Sequence, residues 1–166
     1  GLGDVYKRQF MEGTYSGTAT QVSSNLGTNT TAMAVGNVFV NGVSVGPSYA
    51  TDDTASSGGN VYSAIAKAAA FNLVSDKTGV TAVVNKNVAD NSAAQTNGGA
   101  VVSGIINGVT MTTFTSVAGE KSANRQSMVN AINAIKDQTG VRAVDTGEDG
   151  TTAGGGVQLI ADDGRN

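Results

Sequence analysis

Three acidic clusters and two glycine-rich loops are the segments of this chain whose residue types could do chemistry. Asp52-Asp53, Asp145-x-x-x-Asp149 and Asp162-Asp163-Gly164 offer the oxygen donors that a hard cation such as calcium takes. None has the spacing of the roughly twelve-residue EF-hand loop, so they read as solvated turns. Ser56-Ser57-Gly58-Gly59 and Gly154-Gly155-Gly156 suggest a nucleophile turn or a phosphate cradle. A serine nucleophile needs a base, and the chain has no His and no Ser-x-x-Lys motif. A phosphate loop needs Gly-Lys followed by Ser or Thr, which is also absent. Both loops therefore read as flexible connections. A carboxylate pair for glycoside hydrolysis is disfavoured because aromatics, which line sugar clefts, are only 5% of the chain.

The absence of Cys and His narrows the choice further. Without Cys there is no disulfide, thiolate nucleophile or thiolate metal site, and without His the commonest general base and metal ligand is gone. No cofactor or metal is expected. Net charge is −3 and the ten Lys and Arg are scattered, which disfavours a nucleic-acid partner. No apolar run approaches the ~20 residues of a membrane span. Absence of Cys does not exclude export. The 166 residues suffice for one domain or two small ones. The apolar share, 39%, rests largely on Ala and Val, so cores should be small and light, and the richness in Gly, Ser and Thr favours strands, turns and loops over a helical bundle.

The elements that must position these residues follow from turn and cap signals. Thr14–Val22 reads as a weak strand and Asn25–Thr31 as a polar loop. Ala34–Val40 reads as a strand, Asn41-Gly42 as a type I′ hairpin turn, and Val43–Val45 as the return strand, ended by Pro47. Tyr49–Asn60 is a polar loop. A helix is predicted over Val61–Lys77 with Asn60 as N-cap; Val61, Ala64, Ala68 and Phe71 form its apolar stripe, flanked by Ile65 and Val74. Gly79 fits the left-handed position that stops a helix, and Val80–Val84 reads as a strand. After a polar Asn85–Gly99 segment come a strand over Ala100–Ile106, a turn at Asn107-Gly108 and a strand over Val109–Phe114. A second helix is predicted over Asn124–Gln138, with Met128, Val129, Ile132 and Ile135 as its stripe, and Gly140 stops it. Strands over Val141–Val144 and Val157–Ala161 flank a turn region over Asp145–Gly156.

The order of elements is stated twice. Val40-Asn41-Gly42-Val43 and Ile106-Asn107-Gly108-Val109 each precede a helix that ends at Thr-Gly-Val, at Thr78 and at Thr139. The turns are 66 residues apart and the stops 61, so a five-residue difference falls in the loop between hairpin and helix. In the helix frame Phe71 matches Ile132, Asn72 matches Asn133 and Val74 matches Ile135. That is the signature of a duplicated supersecondary unit. Asn72 and Asn133 are expected to hydrogen-bond a neighbouring strand or loop, since buried amides need partners.

These residues resemble the flagellin "IN" repeat, a motif of the variable outer region of bacterial flagellins and of some hook-associated proteins. Val129-Asn130-Ala131-Ile132-Asn133 followed by Thr139-Gly140-Val141 is the closer match. The first copy departs from it, with Ala69-Ala70-Phe71-Asn72 where the family has Ala-Ile-Asn. The ending Val157–Asn166 also resembles a strand that follows the repeat in flagellins, so the resemblance covers about residues 35–166. It implies a structural, non-enzymatic component of the bacterial flagellum in an extracellular setting. Its partners would be other flagellin subunits, reached through terminal helices that this chain's pattern does not contain, and O-linked glycans on Ser and Thr of the loops. A hook-associated, cap or adhesin-like exported protein is the alternative, and a carbohydrate-binding or hydrolytic domain a more distant one.

The expected fold is α+β, as two tandem units that are each an antiparallel β-hairpin or sheet with one amphipathic helix packed on it. Residues 1–9 read as a truncated or non-native leader, 10–34 as a strand and loop from a preceding unit, 35–90 as the first repeat, 91–99 as a linker and 100–166 as the second. The repeat-defining residues are Asn41, Gly42, Phe71, Asn72 and Gly79 in the first, and Asn107, Gly108, Ile132, Asn133 and Gly140 in the second. A lone hairpin with one helix is marginal, so the units should share sheet contacts or pack on each other.

Overall fold

The computed structural model describes residues 31–90, 99–147 and 156–166. The strand expected over Thr14–Val22, the leader over residues 1–9, and most of the Asn25–Thr31 loop and of the 91–99 linker lie outside these residues. So do Asp149, Gly154 and Gly155.

The fold is α+β, with short antiparallel strands and helices. The two Asn-Gly pairs of the matched units make their hairpins for the reason their chemistry suggests; the third pair, Asn97-Gly98, lies outside the described residues. Asn41 and Gly42 have φ of 50° and 79°, and Asn107 and Gly108 have 49° and 81°, the positive pair that a type I′ turn requires. The first turn joins β1 (Phe39–Val40) to β2 (Val43–Ser44). Their flanks are shorter than the sequence suggests, because Gly36 sits at φ 81° in a turn closed by the Asn37 amide on the Ala34 carbonyl.

In chain order β3 (Asn87–Ala89) and β4 (Val101–Val102) come next, then β5 (Ile105–Ile106) and β6 (Val109–Thr110) around the second turn, and β7 (Phe114–Thr115). β4 pairs with β7 and β5 with β6. The expected continuous hairpin is broken in two because Met111–Thr113 opposes only Ser103–Gly104, one residue too many on one side, as in a bulge.

The first predicted helix becomes a 3₁₀ turn over Asn60–Tyr62, then α1 (Ala64–Asn72) and α2 (Ser75–Thr78). Ser63, not Asn60, is the cap: its Oγ accepts from the Ala66 amide at 3.1 Å. Asn60 instead donates to the carbonyls of Asp53 and Ser56. The second helix becomes α3 (Lys121–Asn133) and α4 (Lys136–Thr139). Both helices break at matching residues, Val74 and Ile135, where φ is −115° and −112°. Both end at a left-handed glycine, Gly79 at φ 69° and Gly140 at φ 70°.

No strand forms over Val80–Val84. The three-stranded sheet has the order β3, β9 (Val157–Ala161), β8 (Arg142–Asp145), all antiparallel. β9 has two edges to offer. β8 of the second unit takes one, and β3, which starts three residues after Val84, takes the other. The last strand is thus shared between the two units.

The buried apolar cluster lies wholly in the second unit: Met111, Val129, Ala131, Ile132, Ile135 and Ala143, with Phe114, Val157 and Leu159 packed against it. In the first unit the expected stripe of Val61, Ala64, Ala68 and Phe71 is only half-buried, a correction that follows from the missing strand that would have covered it. The face of α1 that is buried carries Ser63, Ala66 and Ala70 instead.

Candidate functional site: paired amide clamps and the C-terminal seam

The residues that the sequence matches between the two units form the same connections in both. Asn41 Nδ2 donates to the Thr78 carbonyl at 2.7 Å, and Asn107 Nδ2 donates to the Thr139 carbonyl at 2.8 Å. Each bond ties a hairpin turn to the C-terminal end of the helix in its own unit, satisfying a carbonyl that the helix leaves without an internal partner. The threonine hydroxyls add a second local bond: Thr78 Oγ1 accepts from Val80 N at 3.2 Å and Thr139 Oγ1 from Val141 N at 3.1 Å. The Thr of Thr-Gly-Val therefore holds the chain on both sides of the left-handed glycine.

The helix asparagines act as backbone mimics. Asn72 donates to the Ala82 carbonyl at 3.1 Å and accepts from the Ala82 amide at 2.8 Å. Asn133 does the same to Ala143, at 3.0 and 2.8 Å. One primary amide presents a donor and an acceptor side by side and can replace one residue of a neighbouring strand. In the second unit the clamped segment continues as β8. In the first unit Ala82 belongs to no strand, and the clamp is the contact that ties it to the helix among the described residues. Ile132 is 3% exposed, whereas its counterpart Phe71 is half-buried.

A third correspondence escapes the sequence. Ser48 and Ser116 each bond a residue ahead of their unit's Asn-Gly hairpin: Ser48 Oγ accepts from Met33 N at 3.0 Å, and Ser116 Oγ from Ala100 N at 3.0 Å. These serines are 68 residues apart, against 66 for the turns and 61 for the helix positions Phe71 and Ile132. The net five-residue offset therefore combines two extra residues in the second hairpin with seven extra in the first loop.

That longer loop carries Asp53, which is 2% exposed and not the solvated turn residue its sequence suggests. Its Oδ1 accepts from the amides of Ala55 and Ser56, both at 2.9 Å, an Asx-type turn. Its Oδ2 has no hydrogen-bond partner among the described residues. Burial pushes the carboxyl upward, but the neighbouring Ser56 and Ser63 hydroxyls and the two amides outweigh it and hold the pKa below the ordinary carboxylate value. No sequence signal separates Asp53 from the exposed Asp52 beside it.

Three further carboxylates, Asp145, Asp162 and Asp163, are engaged by arginines. Arg125, 7% exposed, bonds Asp145 at 2.7 Å and ties α3 to β8. Arg142 bonds Asp162 through two contacts at 2.6 and 3.0 Å, and Arg165 bonds Asp163. The guanidinium of Arg165 holds the Asp163 carboxyl below its usual range, as that of Arg142 does for Asp162. Among the described residues no group of three or more acidic side chains converges to hold a metal ion.

Residues 162–166 follow β9 into a seam between the units. Arg165 Nη1 donates to the Thr139 carbonyl at 3.1 Å, and Asn87 Nδ2 donates to the Arg165 carbonyl at 3.1 Å. The Asn166 amide donates to Ser56 Oγ at 2.8 Å. Gly164 is buried at φ 76°, and a side chain there would strike Val84 and the Asn85 carbonyl. Ser57 Oγ bonds Asn107 Oδ1 at 3.0 Å, so the first loop also touches the second turn.

An open groove of about 350 Å³ beside α3, bordered by Phe114, Asn130 and Ala134, contains no titratable side chain. Its hydroxyls, at Thr112, Thr113 and Ser127, have no titratable side chain beside them in the groove. What the recurring residues do is mechanical: they fix turns, helix ends and strands to one another. No family model, curated protein or solved structure matches the chain.

Proposed function

We propose that this chain is a structural segment of a bacterial flagellar filament, part of the outward-facing region of a flagellin, with no catalytic activity. The observation that carries the reading is the pair of clamps from the Asn-Gly turns to the Thr-Gly-Val stops, Asn41 to Thr78 and Asn107 to Thr139. The residues that carry the resemblance to the flagellin repeat are the ones that tie each unit together. A display module needs that kind of residue, because its work is to hold shape on a surface. Ser and Thr are exposed at Ser44, Thr51, Thr54 and Ser57 in the first unit and at Thr110, Thr112, Thr113 and Thr115 in the second, so both present hydroxyls that O-linked glycans would need. Subunit contacts in such a filament would come from helical segments beyond these units.

Immunogold labelling with antibodies raised against the chain, on cells that encode it, tests this. Gold along the filament supports the proposal. Gold confined to the hook junction or the filament tip selects the hook-associated or cap alternative, and gold elsewhere overturns both. Saturable binding in a glycan-array screen would overturn the purely structural role.

A further inference from the structure

We infer that Asn41-Gly42 is a spontaneous deamidation site and that the equivalent Asn107-Gly108 is guarded against the same reaction. Asn-Gly is chemically the most permissive pair for it, because Gly carries no side chain to keep its backbone nitrogen away from the asparagine amide carbon. The Gly42 nitrogen attacks Cγ of Asn41, forming a C–N bond and losing its proton to solvent base. The Cγ–Nδ2 bond breaks and ammonia leaves. Water then opens the five-membered imide at either carbonyl, leaving aspartate or isoaspartate. No oxidant or cofactor enters.

Closing that ring requires the side-chain amide to leave its partner and the turn to abandon its positive-φ geometry. The rate is therefore the rate of the opened turn multiplied by the fraction of time the turn is open. The two sites differ in that fraction. Asn41 is exposed, and among the described residues its side chain has one tether, Nδ2 to the Thr78 carbonyl at 2.7 Å. Asn107 is half-buried and held at both ends, Nδ2 on the Thr139 carbonyl at 2.8 Å and Oδ1 under the Ser57 hydroxyl at 3.0 Å. The Thr139 carbonyl is itself fixed by Arg165, while the Thr78 carbonyl has no such second donor among the described residues. The apolar cluster also lies around the second turn, with Ile106 and Val109 packed against it.

The product has a structural consequence. A carboxylate at position 41 cannot donate to the Thr78 carbonyl and repels it, and isoaspartate adds a backbone atom that a two-residue type I′ turn does not contain. Modification therefore releases the first hairpin from the helix end while leaving the second unit intact.

The test is to incubate the purified chain at mildly alkaline pH and 37 °C and follow Asn41-Gly42 and Asn107-Gly108 by mass spectrometry with site-resolving fragmentation, which separates Asn107 from the third pair, Asn97-Gly98, with a parallel sample in concentrated urea. The urea ratio supplies the intrinsic reactivities. Relative to it, Asn41 should convert about five-fold or more faster than Asn107 in the folded chain, roughly the factor that one extra hydrogen bond gives. Ser57→Ala, at an exposed residue, should speed Asn107 and narrow that gap. Asn41→Asp should raise amide exchange in the first hairpin and leave the second unchanged. Equal folded rates, a faster Asn107, or an Asn41 that survives in the folded chain while converting in urea would each overturn the proposal.

Discussion

The two units share their connections and differ in what fills them. Each has a turn asparagine on a threonine carbonyl, a helix asparagine on an alanine, and a helix stopped at a left-handed glycine. The second encloses an apolar cluster under β8 and β9. The first encloses Val45, Ala66 and Ala70 beside Ser48, Asp53, Ser56 and Ser63. Helix residues explain part of this. Ala68 stands where the second unit has Val129, and Ala64 where it has Arg125, so the first helix has less to bury and no ion pair to reach across. The longer first loop supplies the rest, folding Asp53 inward against α1 as a polar filling. The clamps thus work independently of the core behind them, because a two-way amide bond needs one helix position and one extended residue, whatever lies beneath.

The largest expected difference between the units comes from their matched core positions. Ile132→Ala should cost about 2–5 kcal/mol, as for a fully buried aliphatic side chain. Phe71→Ala removes a half-buried ring and should cost less than half as much. Urea unfolding midpoints measure both, and equal losses would sink the claim that only the second unit has an apolar core.

Asp53→Ala sharpens the comparison from the other side. It leaves the Ala55 and Ser56 amides without their acceptor and should cost about 1–3 kcal/mol, while Asp53→Asn keeps an oxygen and should recover much of it. Hydrogen exchange should quicken over the first loop and α1. Loss of protection in α3 instead would show that the two interiors are not separate.

Asn133→Ala and Asn72→Ala each remove two bonds to one alanine, one half-buried and one exposed. The first should cost about 2 kcal/mol and the second about 1 kcal/mol or less, read again from denaturation curves. A larger loss at Asn72 would mean that its clamp substitutes for the missing strand.

The smallest and most gradual effect is that of acid. Asp53 and Asp163 have lowered folded-state pKa values, so the stability they contribute is complete above the unfolded carboxylate value. It is lost as pH falls below about 4 and through their folded values. Asp145 is lowered as well, but the second unit keeps its apolar cluster when that carboxylate is protonated, so acid should loosen the first unit, filled by Asp53, and the seam, held by Asp163, before the cluster. Circular dichroism with fluorescence labels on each unit would follow the order, and a single concerted acid transition would refute it.

The turns and the helix stops were legible in the sequence because each depends on a few local residues. Asn-Gly sets a type I′ turn by backbone sterics, and glycine ends a helix for the same reason. Asn72 and Asn133 could be picked out as partners for neighbouring backbone because the helix frame superposes them. Asp53 was illegible, since nothing local distinguishes an aspartate that folds inward from its exposed neighbour Asp52. The stripe of Val61, Ala64, Ala68 and Phe71 misled for the opposite reason: periodicity records which face is apolar, not whether anything arrives to cover it.

What the sequence determined by itself is therefore the set of short-range constraints, the two turns, the two stops and their repeat. Only tertiary structure decided that Val80–Val84 is left out of the sheet, that β9 serves both units, and that residues 162–166 close the seam between them. Those outcomes depend on competition between distant segments for the two edges of one strand. A strand's own residues state its wish to pair, but not which of its rivals will reach the edge first.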